Sequence, residues 1–152
     1  MTKVVSPRVF TIGYERATLP DFLRTLQREQ ITRLIDIRAI PWSRRPEFAQ
    51  HNLRVSLEAQ NISYLHMKAL GNPAKTQGNT AESHQSYPQV FLDYLQTPQA
   101  QNALGEIKKL IVSAATCLLC YERSAQQCHR SLVTAALGSN IDVIDLVPGN
   151  LL

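Results

Sequence analysis

Residues 117–130 read CLLCYERSAQQCHR, and how that stretch divides decides the fold. Thr116 to Cys120 is an unbroken run with the length and character of a strand buried on both faces. From Gln126 to Leu137 the apolar positions recur at helical spacing, with Cys128, Leu132, Ala135 and Ala136 on one stripe, until Gly138 stops the helix. A buried strand that passes through a short polar turn into an amphipathic helix is half of a βαβ unit. It predicts a parallel sheet with helices on its faces.

The same alternation runs through the rest of the chain. Val9 to Ile12 is a first strand ending at Gly13, and Thr18 with Asp21 is spaced to cap a helix carrying Leu19, Phe22, Leu23 and Leu26. Leu34 to Ile37 is a second strand. Asn52 is placed to cap a helix with Leu53 and Leu57, and Asn61 to end it in a left-handed conformation before a third strand, Ile62 to Leu65. Lys68 to Ser86 is polar and aperiodic, a long loop of the kind that is either a lid or disordered. Pro88 opens a helix through Leu95, Thr97-Pro98 resets the chain, and Ala103, Leu104, Ile107, Leu110, Ile111 and Ala114 mark another helix. Ile141 to Val147 closes the series as a strand. The order predicts a single domain over residues 1–152: a three-layer α/β fold with a mainly parallel five-stranded sheet and helices on both faces. Strand order 3-2-1-4-5 is the first choice.

Bulk properties agree. A chain of 152 residues, 44% hydrophobic, can bury a core without metals or disulfides. Its net charge of +4 is a mild excess that favours phosphate-bearing partners. No run of about 18 apolar residues and no secretory leader is visible, and three cysteines are too few for a disulfide scaffold. A soluble cytoplasmic protein with no membrane partner is expected.

In such a sheet the C-terminal strand ends share one rim, which here receives Tyr14, Asp36, Arg38, His66, Cys120 and Glu122. The loop after the second strand adds Ser43 and Arg44. From Arg38 to Arg54, four arginines face the single acid Glu47, with Trp42 and Phe48 between them. Guanidinium groups with a hydroxyl are what phosphate recognition uses. Ser124 and Gln127 are spaced as a capping box, so the last helix is expected to begin near Ala125 with its positive end beside Glu122. On that helix Cys128 faces the core, His129 lies on the flank, and Arg130 points most nearly away from the core. Cys117 and Cys120 are spaced as C-x-x-C, but residues three apart on a strand face opposite ways, so the two sulfurs do not easily meet as a disulfide or share a metal. The C-x5-R spacing from Cys117 to Arg123 contains no glycine to wrap amides around a phosphate. A zinc site from Cys120, Cys128 and His129, with or without His66, stays open but lacks a second tight ligand pair, and no metal ligand is assigned.

FTIGY, LIDIRAIPWSRRPEF, ISYLHMKALG and LLCYERSAQQCHRSL, in that order, resemble the family called domain of unknown function 488 across nearly the whole chain. The resemblance implies a compact α/β fold. It places the shared polar positions at Thr11, Tyr14, Asp36, Arg38, Ser43, Arg44, Tyr64, His66, Cys120, Glu122, Cys128, His129 and Arg130. The functional expectation is a protein that binds or acts on a phosphate-containing ligand, a nucleotide or a nucleic-acid end, as a hydrolase or transferase. Asp36, His66, Cys120 and Glu122 are the candidate catalytic groups, and Tyr14, Arg38, Ser43, Arg44, His129 and Arg130 the ligand-binding ones. Two alternatives stand beside it. One is a non-catalytic nucleic-acid-binding module. The other is a thiol enzyme using Cys120, since LIDIR resembles the acidic strand end of rhodanese-like proteins; nine residues separate Cys120 from Arg130, where a tight cradle needs only a few. The pattern names neither a cofactor nor an oligomeric state.

Overall fold

The computed structural model describes residues 6–72 and 87–149. Five parallel strands form one sheet: β1 (Arg8–Gly13), β2 (Arg33–Asp36), β3 (Ser63–His66), β4 (Thr116–Cys120) and β5 (Asp142–Leu146). The described helices are α1 (Leu19–Arg28), α2 (Gln50–Glu58), α3 (Tyr87–Leu95), α4 (Pro98–Ser113) and α5 (Arg130–Leu137). Much of the long loop expected over Lys68 to Ser86, residues 73–86, lies outside the described residues; its start is a 3-10 turn, Lys68–Leu70.

Alternation along the strands builds two cores. Phe10, Ile12, Leu34, Cys117 and Leu119 face α1 and α2, where they meet Phe22, Leu26, Leu53 and Leu57. Val9, Ile35, Leu118 and Cys120 face the opposite way, onto Phe91 and Leu95 of α3, Leu104 and Ile107 of α4, and Val133 and Leu137 of α5. Cys117 and Cys120 therefore do sit on opposite faces, as strand geometry requires.

The sheet order is β3-β2-β4-β1-β5, not 3-2-1-4-5. Strand β4 inserts between β1 and β2, with Gly13 beside Cys120 and Asp36 beside Leu119. Burial accounts for the exchange. TCLLC is buried at every position, whereas β3 (SYLH) and β5 (DVIDL) expose much of their length and take the two edges. A strand with no charge and no exposed face is best satisfied at the centre. The chain leaves β1 and β2 toward one face of the sheet and β4 toward the other. The loops on either side of β4 consequently diverge, which is where open parallel sheets form ligand crevices.

Two helix starts differ from expectation. Ala49, not Asn52, precedes α2, and Asn52 sits inside the first turn with its amide donating to the Pro46 carbonyl at 3.0 Å. Asn61 does adopt the left-handed conformation, with φ 62°. Thr18 caps α1 through its hydroxyl, which accepts from the Asp21 amide at 3.2 Å, and Thr97 caps α4 in the same way. The other altered start is that of α5, and it reshapes the site.

Candidate functional site

After β4 the chain makes a 3-10 turn, Ala125–Gln127, and α5 begins only at Arg130. Ser124 does not cap a helix; its hydroxyl donates to Gln126 Oε1 at 3.0 Å. The later start swings Arg130 inward. Instead of pointing away from the core it is fully buried, among the largest side chains that are. Nε donates to Thr11 Oγ1 at 3.1 Å, Nη1 to Cys120 Sγ at 2.9 Å and to the Glu122 carbonyl at 2.6 Å, and Nη2 to the Arg123 carbonyl at 3.1 Å. Thr11 in turn donates to Asp145 on the edge strand. Among the described residues no carboxylate lies within salt-bridge distance of Arg130. Burial pulls its guanidinium below its ordinary pKa, opposed by the charges of Asp145, Cys117 and Glu122.

This arrangement also explains Gly13. A Cβ there would lie 1.7 Å from the Glu122 carbonyl oxygen, the same oxygen that accepts from Arg130. Glycine lets the end of β1 pass flush against the turn after β4. The reason for glycine here is close approach. Glu15 continues the contact: its amide donates to the Tyr121 carbonyl at 2.9 Å, and its carboxylate accepts from the Arg123 amide at 3.0 Å.

The sulfurs of Cys120 and Cys128 are joined as a disulfide, their Cα atoms 7.5 Å apart, while Cys117 is a buried free thiol. His129 is buried beside them. Its Nε2 donates to the Ile37 carbonyl at 3.1 Å, and its Nδ1 lies 3.6 Å from Cys128 Sγ. Cys120 Sγ is 3.7 Å from Glu122 Oε2, and Glu122 itself is half-buried.

On the β2 side, Asp36 and Arg38 form a buried bidentate pair, Nε to Oδ1 at 2.9 Å and Nη2 to Oδ2 at 2.7 Å. Tyr64, at 2.5 Å, and the Arg38 amide also donate to the carboxylate, and Arg38 Nη1 donates to the Phe48 carbonyl and to the Tyr14 hydroxyl. Burial alone would lower the Arg38 pKa, but the hydrogen bonds and charge of Asp36, with Tyr14, hold it above its ordinary value. Burial, then the charge and hydrogen bond of Asp36, push the Tyr64 hydroxyl up. Asp36 and Arg38 thus spend their hydrogen-bonding capacity largely on each other and on the framework. Tyr14 is buried and stacked on Phe48. His66 Nε2 donates to the Arg38 carbonyl at 2.7 Å, and its half-buried ring has no other hydrogen bond among the described residues.

The loop after β2 holds a different arginine from the one expected to bind. Arg45 donates to the carbonyls of Tyr14 and Ala17, pairs with Glu47 and stacks on Phe48, so it clamps the β1 loop. Ser43 accepts from the Arg45 amide at 3.1 Å. Arg44 is exposed, with no hydrogen bond or ion pair among the described residues, and Trp42 beside it is 64% exposed.

Arg123, which enters the sequence reading only as the end of a C-x5-R spacing, is a rim residue. Its Nη2 donates to the Pro148 and Gly149 carbonyls, while its Nη1 is buried without a hydrogen-bond partner among the described residues. The signal available was its place immediately after Glu122 at the end of the central strand.

The structure therefore gathers Tyr14, Asp36, Arg38 and His66 around β2, and Cys120, Glu122, His129 and Arg130 around β4, with Ser43 and Arg44 on the loop after β2, next to the Arg45 that holds the β1 loop. Together they define a three-layer α/β protein whose polar rim brackets the end of its central strand. The chain belongs to the family described as domain of unknown function DUF488, whose sequence model matches residues 18–137. No curated protein and no solved structure matches it. No helix of the described residues is long and apolar enough to cross a membrane.

Proposed function

We propose that the rim binds a phosphate-containing ligand, a nucleotide or a nucleic-acid end, between the turn after β4 and the loop after β2. The observation that carries this reading is Arg123 Nη1, a buried cationic donor with no acceptor among the described residues. Such a donor costs about 1–3 kcal/mol or more while unpaired, and an anionic oxygen supplies what it lacks. The fully buried Arg130, with no carboxylate at salt-bridge distance among the described residues, adds positive potential beside it.

Arg44 and Trp42 belong to the same neighbourhood, because Arg45 and Arg123 both anchor to the loop of Tyr14 to Ala17. An exposed guanidinium next to an exposed indole suits a phosphate next to a stacked base. For chemistry on such a ligand, Glu122 and His66 are better placed than Asp36. His66 carries its proton on Nε2, which leaves the neutral ring's Nδ1 as a proton acceptor.

The test is isothermal titration of the chain with inorganic phosphate, pyrophosphate and nucleoside mono-, di- and triphosphates. Saturable binding that weakens at least tenfold in Arg123→Met and in Arg44→Ala is expected. No binding across the panel, or equal binding by both variants, contradicts the proposal.

One observation favours thiol chemistry instead. Arg130 Nη1 donates to Cys120 Sγ at 2.9 Å, a contact that stabilises a thiolate once the disulfide is reduced. Rapid alkylation of Cys120 near neutral pH in the reduced protein would support that reading; a Cys120 as inert as Cys117 would remove it.

A further inference from the structure

Cys120, Cys128 and His129 present two sulfurs and one ring nitrogen that all lie within 4.8 Å of one another, and all three residues are buried. We propose that, with both thiols reduced, these three side chains bind one zinc-class divalent ion at the end of the central strand. The site goes beyond anion binding at the rim and does not depend on it.

The imidazole is set for this role. Its Nε2 donates to the Ile37 carbonyl, which fixes the neutral tautomer and directs the Nδ1 lone pair toward Cys128 Sγ. Ligating histidines are commonly held in this way, by a backbone carbonyl on the far nitrogen. The Nδ1 to Sγ distance is 3.6 Å. A tetrahedral zinc ion with bonds of about 2.3 Å to sulfur and about 2.0–2.1 Å to nitrogen has an S···N edge of roughly 3.6 Å.

The backbone span agrees. The Cα atoms of Cys120 and Cys128 are 7.5 Å apart, wider than the ~4.4–6.8 Å usual for a disulfide, and two thiolates sharing an ion tolerate such a separation. Both sulfurs also accept N–H donors from Arg130, its side chain on Cys120 at 2.9 Å and its backbone on Cys128 at 3.5 Å. These bonds favour thiolates over thiols. Glu122 Oε2 lies 3.7 Å from Cys120 Sγ.

Binding moves no electrons. Each thiol releases a proton, the neutral imidazole donates a lone pair, and two thiolates balance the divalent charge. Oxidation to the Cys120–Cys128 disulfide excludes the ion; a dithiol reductant returns two electrons and two protons to restore the site.

The experiment is titration of the full chain, reduced with a non-thiol phosphine and freed of metal, with Co2+ and then Zn2+. A 1:1 thiolate-to-cobalt charge-transfer absorption, displaced by one equivalent of Zn2+, is expected. It should persist in Cys117→Ser and weaken at least a hundredfold in Cys128→Ser and His129→Gln. Should those two variants fail to fold, disulfide-oxidised wild type is the control, and it should show no charge-transfer band. No 1:1 band in reduced wild type, equal binding by folded Cys128→Ser, or an equal band in the oxidised chain overturns the proposal.

Discussion

Arg130 donates through Nη1 to the sulfur of Cys120, 2.9 Å away, across the gap between the end of β4 and the start of α5. The same guanidinium reaches Thr11 on β1 and the carbonyls of Glu122 and Arg123. One side chain thus fixes the central strand, its neighbour and the turn that carries the candidate site.

Replacing Arg130 by Lys should destabilise the chain by about 2–4 kcal/mol. A single ammonium cannot span four acceptors that a planar fork reaches, and the buried carbonyls left without donors each carry a desolvation cost. Urea denaturation checks this. A midpoint within error of wild type would show that the fork is dispensable.

Gly13→Ala should cost about 3 kcal/mol or more. The added methyl would meet the Glu122 carbonyl, a backbone group that cannot rotate away, and moving it would also break the Arg130 contact. The expected signature is a lower unfolding midpoint together with loss of phosphate binding.

Arg38→Met should cost about 3–5 kcal/mol, because it leaves Asp36 buried and charged without its partner. The double variant Asp36→Leu/Arg38→Met should recover part of that loss, since it removes both charges. A double variant no more stable than Arg38→Met would show that the framework bonds to Phe48 and Tyr14, not the ion pair, dominate.

Stability should fall at alkaline pH. The Cys117 thiol is raised from an ordinary value near 9, by burial first, and the Tyr64 hydroxyl from near 10, by burial and then Asp36. Both groups stay neutral in the folded chain after they have ionised in the unfolded one. Their contribution is complete below the unfolded pKa and is lost as pH rises toward the folded pKa, so the decline begins near pH 9 and steepens above 10. In denaturation series from pH 7 to 11, Tyr64→Phe should be less stable at pH 7 and show a shallower alkaline decline. An unchanged slope would contradict the assignment.

Much of this was legible in the sequence because it is local. Capping spacing marked α1 at Thr18, periodicity marked α4, and all five strands fell within a residue or two of their bounds. What escaped depends on contacts distant in the chain. The placement of β4 between β1 and β2 follows from comparing burial across strands, and the apolar TCLLC against the polar β3 and β5 was the available sign. The start of α5 was misplaced because Ser124 and Gln127 have capping-box spacing, whereas Arg130 is held by Thr11, 119 residues earlier. Moving that start four or five residues reversed the direction of Arg130. The loop arginines were equivalent in sequence, and only the β1 loop distinguishes Arg45, which clamps it, from Arg44, which faces solvent.

The most direct test of the rim as a phosphate site is the melting temperature of wild type and Arg123→Met with and without saturating nucleoside triphosphate. A ligand present at 100 times its dissociation constant stabilises by ~2.7 kcal/mol, which for a chain of this size is a rise of roughly 5–10 °C. That rise is expected for wild type, with little or none for Arg123→Met. No shift for wild type with any phosphate compound, or the same shift in both proteins, would contradict it.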